Sequence, residues 1–113
     1  MDPNAFLPLS EATFYILLSL AKDAKHGYAI WKDVEGLSSR SLKLSTSTLY
    51  DALERLLQQG LIERVKEDDE RSNARPRKRY RINNLGRRVL GSDIKRMRNL
   101  MDLAVPLLPE IMG

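Results

Sequence analysis

The sequence predicts a mainly α-helical domain with one small β-hairpin. Apolar residues recur at helical spacing before position 60 and again after position 83. Between these regions, two short segments alternate apolar with charged residues, which is typical of strands that bury one side. We therefore expect three helices, a hairpin and one long final helix, in that order.

The first helix is expected to begin after Ser10, a suitable N-cap, with Glu11 in its first turn. Residues 1–8 precede it as a loose arm, because Pro3 and Pro8 oppose helix formation. The predicted buried stripe is Phe14, Leu17, Leu18 and Ala21, widened by Tyr15, Ile16 and Leu20.

The second helix is expected to start at His26-Gly27 and to end around Gly36 to Ser39. Its apolar positions are Tyr28, Ile30, Trp31, Val34 and Leu37. Polar residues 38–41 then form a turn, and Leu42 and Leu44 tie this turn back to the core.

The third helix starts near Ser45 or Thr46, either of which can cap it, and Gly60 ends it. Its stripe of Leu49, Leu53, Leu56 and Leu57 faces the core. The residues off this stripe form a polar face: Ser45, Ser47, Thr48, Tyr50, Asp51 and Arg55.

Residues 61–66 and 78–82 form the predicted hairpin, and the loop between them is strongly charged. Basic residues cluster there and along the second strand: Arg71, Arg75, Arg77, Lys78, Arg79 and Arg81. A short helix beside a basic two-stranded wing is the winged form of the helix-turn-helix, whose second helix enters the major groove of DNA.

Asn83-Asn84 can cap the last helix, and Pro106 and Pro109 should stop or kink it near Val105. Apolar residues recur along it at spacings of four, three, four, three and four, which predicts a dimer seam formed by Leu90, Ile94, Met97, Met101, Ala104 and Leu108. We accordingly divide the chain into a winged-helix DNA-binding domain, 1–83, and a C-terminal dimerisation helix and tail, 84–113.

The 113 residues carry 19 Lys and Arg against 15 Asp and Glu, a net charge of +4 that is concentrated in the second half. Local clustering of this kind favours a polyanion-binding face. Without cysteine there is no disulfide framework or thiolate metal site. The longest apolar run is too short to cross a bilayer and no export signal is visible, so we expect a cytoplasmic protein with no membrane partner.

Three stretches together resemble the PadR family of bacterial transcriptional regulators. Residues 26–30, HGYAI, resemble its HGYxI block, and residues 47–53, STLYDAL, resemble its GTLYPAL block. Residues 75–80, RPRKRY, together with Gly86, resemble its RPRKxYxLTxxG block. The match extends from Leu9 to Leu90, and the order and spacing of the blocks are specific.

This resemblance implies a homodimeric winged-helix repressor in which the final helix forms the dimer interface and the wing tips reach DNA. Three positions depart from the family pattern: Ser47 replaces a usual glycine, Asp51 a usual proline and Asn83 a usual threonine. Ser47 and Asn83 can still cap or turn. Asp51 instead places a negative charge beside the surface that faces the groove.

Two groups of residues are the candidate contacts to double-stranded DNA. Hydroxyls near the start of the third helix can reach phosphates or base edges, and plain capping is the alternative role for them: Ser45, Ser47, Thr48 and Tyr50. Tyr50 is assigned to a phosphate because it lies off the apolar stripe. On the wing, strand alternation places Arg75, Arg77 and Arg79 on one face, where a solvated basic loop is the alternative.

Other candidates have simpler interpretations. His26 begins a helix and has no paired nucleophile or ligand set nearby in sequence. Trp31 could line a ligand pocket at a dimer interface, but core packing explains it more simply. The acidic run 67–70 could hold a divalent cation, yet adjacent carboxylates seldom converge on one ion, which favours a solvated loop.

The sequence supports two hypotheses about function, each from a different class of protein. The first is a dimeric repressor that occludes a promoter at a pseudo-palindromic site, and the second is a winged-helix adaptor that binds an acidic protein, favoured by Asp51 and the acidic run. An enzyme is not expected, because no nucleophile, base and orienting group can be assembled. We expect no cofactor and no metal site, and whether a small molecule acts as effector stays open.

Overall fold

The computed structural model describes residues 1–66 and 78–113. The predicted fold class is confirmed, because the chain is mostly helical with a small antiparallel sheet. The helices and strands are α1 Glu11–Ser19, β1 Lys25–His26, α2 Gly27–Leu37, α3 Thr46–Gln58, β2 Ile62–Val65, β3 Arg79–Ile82, α4 Asn84–Ala104 and α5 Leu108–Met112. Short 3-10 helices occupy Pro3–Phe6 and Val105–Leu107.

The sheet has three strands in the order β1-β3-β2, all antiparallel. The predicted hairpin is confirmed, with Glu63 opposite Arg81 in register and 3.2 Å from it in an ion pair. The third strand, β1, was not predicted. A network fixes it beside α2, since the Asp33 carboxylate accepts hydrogen bonds from Lys25 and, at 2.7 Å, from the Ser19 hydroxyl.

Burial alone would raise the pKa of Asp33, but this network outweighs it. The hydrogen bonds from Lys25 and Ser19, together with the positive charge of Lys25, favour the ionised carboxylate. The pKa of Asp33 therefore lies below its usual value, and the ionised form supports the contact between α2 and β1.

The expected buried stripe of α1 is partly wrong, because Leu17 and two of the residues expected to widen the stripe, Ile16 and Leu20, form its most buried part. Ile16, Leu17 and Leu20 are fully buried, whereas Phe14 and Leu18 are only partly buried. Every position from Phe14 to Leu18 is apolar, so spacing could not select the buried face. Packing against α2 and α4 selects it instead.

The expected apolar face of α2 is also partly wrong. Ile30 and Val34 are buried, but Tyr28 and Leu37 are exposed by 65% and 49%. The buried residues of α3 are the predicted ones with Ala52 added, while Leu57 is only partly buried.

The junction between α3 and α4 is built from tightly packed backbone. Gly60 has a φ of 75°, and the Leu61 amide donates to the Leu56 carbonyl at 3.1 Å, which forms a Schellman-type end. Asn83 caps α4 by accepting from the Gly86 amide at 2.8 Å, and its Nδ2 donates to the Gly60 carbonyl at 2.6 Å. This one side chain therefore joins the end of α3 to the start of α4.

The long helix α4 extends beyond the compact part of the chain. The radius of gyration is 16.7 Å, above the roughly 13 to 14 Å typical of a compact domain of this length. Pro3–Phe6 packs against α4, so the prediction of a loose arm is wrong: the apolar residues Phe6, Leu7 and Leu9 anchor it on the core. Within the described ranges, no helix is both long and apolar enough to span a membrane.

Candidate nucleic-acid interface

The start of α3 is capped by Ser45, as predicted. The Ser45 hydroxyl accepts from the Thr48 amide at 3.1 Å and donates to the Thr48 hydroxyl at 2.8 Å. It also lies 3.2 Å from the Ser47 hydroxyl. Ser45 is therefore engaged in capping, while Ser47 and Thr48 are exposed on the first turn.

The side of α3 opposite the core carries an exposed stripe of four residues at spacings of four, three and four. It consists of Ser47, Asp51, Glu54 and Gln58, which we call the outward stripe. Glu54 is paired with Arg64 of β2 at 3.1 Å, a contact that strand and helix periodicity could not reveal. The outward stripe thus begins with a hydroxyl and carries one carboxylate paired to a cation.

Tyr50 lies beside the outward stripe and packs against the first turn of α2. A Cβ atom added to Gly27 would lie 2.6 Å from the Tyr50 hydroxyl, so the ring occupies the space that this glycine leaves. Tyr50 therefore has a structural role even though it lies off the apolar stripe of α3. About half of its side chain remains exposed, so its assignment to a phosphate stays a prediction.

A cavity of about 190 Å³ lies between α2 and the start of α3. Its lining residues are Gly27, Tyr28, Trp31, Thr46, Leu49 and Tyr50. The Trp31 indole N–H donates to the Leu44 carbonyl at 2.7 Å, and its ring stacks on Tyr28 with centroids 6.0 Å apart. Trp31 therefore holds the turn between the two helices, in agreement with a packing role.

The described part of the wing follows the predicted alternation. Arg79 and Arg81 lie on one face of β3, and Tyr80 and Ile82 are buried on the other. Burial raises the pKa of the Tyr80 phenol, so the ring stays neutral within the core. Arg75, Arg77 and the acidic run 67–70 lie outside the described residues.

The proposed dimer seam needs two corrections. Leu90 is only 5% exposed and belongs to the core of its own subunit, because the first turns of α4 pack against α1. Leu108 lies in α5, beyond the break at Val105–Leu107, so it does not continue the register of α4. The other four residues lie on α4, with Ile94 and Met101 exposed by 41% and 55% and Met97 and Ala104 partly buried.

The apolar surface around this seam is wider than spacing predicted. Leu100 and Leu103 add exposed area on α4, and the tail adds more through Val105, Leu107, Leu108, Ile111 and Met112. At the inner end of this surface, Asp93 is 1% exposed and accepts from the Arg96 Nε at 2.7 Å. The distal half of α4 with the tail is thus a continuous exposed apolar face.

Three helices with a capped, outward-facing α3 and an antiparallel wing define a winged helix-turn-helix protein. Residues 16–92 match the model of the PadR-like family of transcriptional regulators. The chain belongs to that family, and the predicted resemblance is confirmed. Among curated proteins, no sequence matches this chain significantly.

Solved structures agree with this assignment. A PadR family regulator from Clostridium difficile R20291 is 28% identical with a TM-score of 0.66, over 92% of this chain and all of that one. A PadR family regulator from Eggerthella lenta DSM 2243 is 27% identical with a TM-score of 0.66, over 94% of this chain and 84% of that one. Bacillus subtilis PadR, solved with operator DNA, shares the fold at 21% identity and a TM-score of 0.64, over 75% of this chain and 47% of that one.

Proposed function

We propose that this regulator is a dimeric repressor that binds a pseudo-palindromic DNA site and occludes a promoter. The observation that carries the proposal is the start of α3, where exposed hydroxyls and backbone N–H groups stand clear of the core beside the wing. A helix placed in this way can enter the major groove with its first turns against base edges. The operator complex of B. subtilis PadR supports the same use of the shared fold.

The proposed contacts divide by role. Ser47 and Thr48 reach phosphates or base edges, and Ser45 orders the turn that presents them. Tyr50 contacts a phosphate from the side of α3 that faces α2. On the wing, Arg75, Arg77 and Arg79 hold the flanking backbone, where guanidinium groups bind phosphates in a bidentate way.

Dimerisation is proposed to use the distal half of α4 and the tail. Met97, Met101 and Ala104 remain from the predicted seam, with Ile94 at its inner end and Leu108 in the tail. A second chain would cover this apolar face, because the residues of α4 beyond Asp93 are largely exposed. In functional terms, residues 1–83 then bind DNA and 84–113 pair the subunits, which would set two α3 helices roughly 34 Å apart in successive major grooves.

An adaptor that binds an acidic protein is supported less well. An acidic partner docking on α3 would meet Asp51 and Glu54 of the outward stripe. The wing arginines would attract an acidic protein. They would attract DNA as well, and DNA would in addition bind α3 in its major groove. Binding of a protein partner that persists after nuclease treatment would favour the adaptor.

Fluorescence anisotropy tests the proposal. One duplex comes from the region upstream of the protein's own gene, and the other is a scrambled duplex of equal composition. We expect preference for the upstream duplex and an affinity that falls steeply from 50 to 200 mM salt. Ser47→Glu, which sets a charge against the phosphates, should weaken binding by about 10-fold or more. Asn99→Glu, on the side of α4 opposite the seam, makes the same charge change and should leave the affinity nearly unaltered.

Arg77→Ala should weaken binding to all duplexes alike and lower the salt slope by about 1. Binding that ignores both sequence and salt would contradict the DNA-binding proposal.

A further inference from the structure

The outward stripe of α3 carries an acidic residue at the place where a DNA-binding helix most often carries neutral or basic groups. Asp51 lies one turn after Ser47 and is exposed, on the side of α3 farthest from the buried Leu49, Ala52, Leu53 and Leu56. If Ser47 enters the major groove, Asp51 enters with it, because residues four apart share one helix face. A carboxylate in that position approaches base edges between two rows of phosphates.

The two carboxylates of the outward stripe differ in their surroundings. Glu54 is neutralised by Arg64 at 3.1 Å. Asp51, by contrast, pairs with no cation in ranges 1–66 and 78–113, although Arg55 lies one turn along on the same helix. With respect to the described residues, Asp51 therefore presents free acceptor oxygens and an unbalanced negative charge.

An unbalanced carboxylate is repelled by phosphates at every sequence, so it needs a specific donor to offset this cost. In the major groove, the exocyclic amino groups of cytosine and adenine are the donors, and the N7 and O6 atoms of guanine and the O4 atom of thymine are acceptors that repel a carboxylate. An aspartate can accept from the N4 amino group of cytosine without meeting another acceptor of that base, whereas adenine N6 adjoins the N7 acceptor.

We propose that Asp51 is a specificity-determining residue that accepts a hydrogen bond from the N4 amino group of a cytosine in each half-site. The proposal rests on the proposed DNA-binding function and deepens it. Asp51 selects in two ways, because it attracts cytosine at one base position and disfavours guanine or thymine there, since these two bases present acceptors and no amino donor in the major groove. The acidic residue that weakens general affinity thus raises the ratio between specific and nonspecific binding.

Selection of bound duplexes from a random DNA pool, carried out with wild type and Asp51→Asn, tests this inference. We expect the wild-type site to show one position in each half-site that is almost always cytosine. Asp51→Asn should shift that position towards adenine, which an amide can bind through N6 and N7, and leave the other positions unchanged. On fixed duplexes, replacing that cytosine should cost wild type about 10-fold or more in affinity and cost Asp51→Asn less than 3-fold.

Asp102→Asn is the matched control, because it removes the same charge from an exposed position of α4 that lies off the proposed seam. It should leave every selected position as in wild type. A wild-type site without a strict cytosine, or a cytosine that Asp51→Asn selects equally, overturns the inference while DNA binding stands. A wild-type protein that enriches no sequence overturns the DNA-binding proposal and this inference with it.

Discussion

Replacing Asn83 by alanine tests the junction that holds α4, which carries the proposed dimer face, against the end of α3. The substitution removes the cap on the Gly86 amide at 2.8 Å and the hydrogen bond to the Gly60 carbonyl at 2.6 Å. Loss of an N-cap costs about 1 kcal/mol. The second bond is solvent-exposed, so its loss adds about 0.5 kcal/mol.

Asn83→Ala should therefore lower the free energy of unfolding by about 1.5 kcal/mol. For a chain of this size, that corresponds to a fall in Tm of about 5 to 10 °C. Urea and thermal denaturation followed by circular dichroism measure both quantities. Protein concentration must be held constant, because the proposed dimerisation would itself stabilise the fold.

Asn84→Ala is the matched control, since Asn84 is the neighbouring exposed amide on the same helix end. It should change the free energy of unfolding by less than about 0.5 kcal/mol. Asn83→Asp should lie between wild type and Asn83→Ala, because it keeps the acceptor for the Gly86 amide and loses the donor to Gly60. An Asn83→Ala protein as stable as wild type, or an Asn84→Ala protein as unstable as Asn83→Ala, would refute the reasoning.

Three further predictions follow from single contacts. Met101→Asp should leave the chain monomeric in sedimentation at micromolar concentration, where wild type is proposed to form a dimer, without loss of helix content; an unchanged mass would contradict the proposed face. Gly86→Ala should destabilise by more than about 2 kcal/mol, because its Cβ would lie 2.1 Å from the Leu61 carbonyl oxygen; a melting curve like that of wild type would oppose this. Because the pKa of Asp33 is lowered in the fold, its contribution to stability is present above the usual carboxyl pKa and is lost as the pH falls below it. Urea midpoints from pH 6 to 3 should therefore fall less steeply in Asp33→Asn than in wild type. Equal slopes would contradict the role of Lys25.

The sequence was sufficient for elements with a strong local signal. Ser45 and Asn83 were identifiable as caps, and Gly60 as a helix end, because each requirement is met by a side chain at a fixed offset. The change from helical to alternating periodicity after Gly60 located the hairpin. Each of these features depends on residues that are close together in the sequence, so it can be recognised without the structure.

Features that depend on tertiary packing could not be predicted from the sequence. Strand β1 has two residues, Lys25 and His26, and too little length to show a period. The buried face of α1 could not be chosen because apolar residues surround it. Leu90 fits the heptad spacing as well as Met97 does, and only its burial in the structure assigns it to the core of its own subunit.

The candidate site shows the same division. Polar residues off the α3 stripe were recognised from spacing, including Ser47 and Asp51. The contact of Tyr50 with Gly27 and the neutralisation of Glu54 by Arg64 join segments distant in sequence. The second contact matters most, because it leaves Asp51 as the carboxylate without a cation on the outward stripe within the described ranges.

The central claim is that two copies of the α3 surface bind one duplex together. Native mass spectrometry of the complex with a selected duplex tests this claim most directly. The mass of the complex is compared with the sequence of that duplex. The account predicts two chains on each duplex and inverted half-sites about 10 base pairs apart, one helical turn. One chain on a single half-site, or two chains on a duplex without repeated sequence, would contradict it.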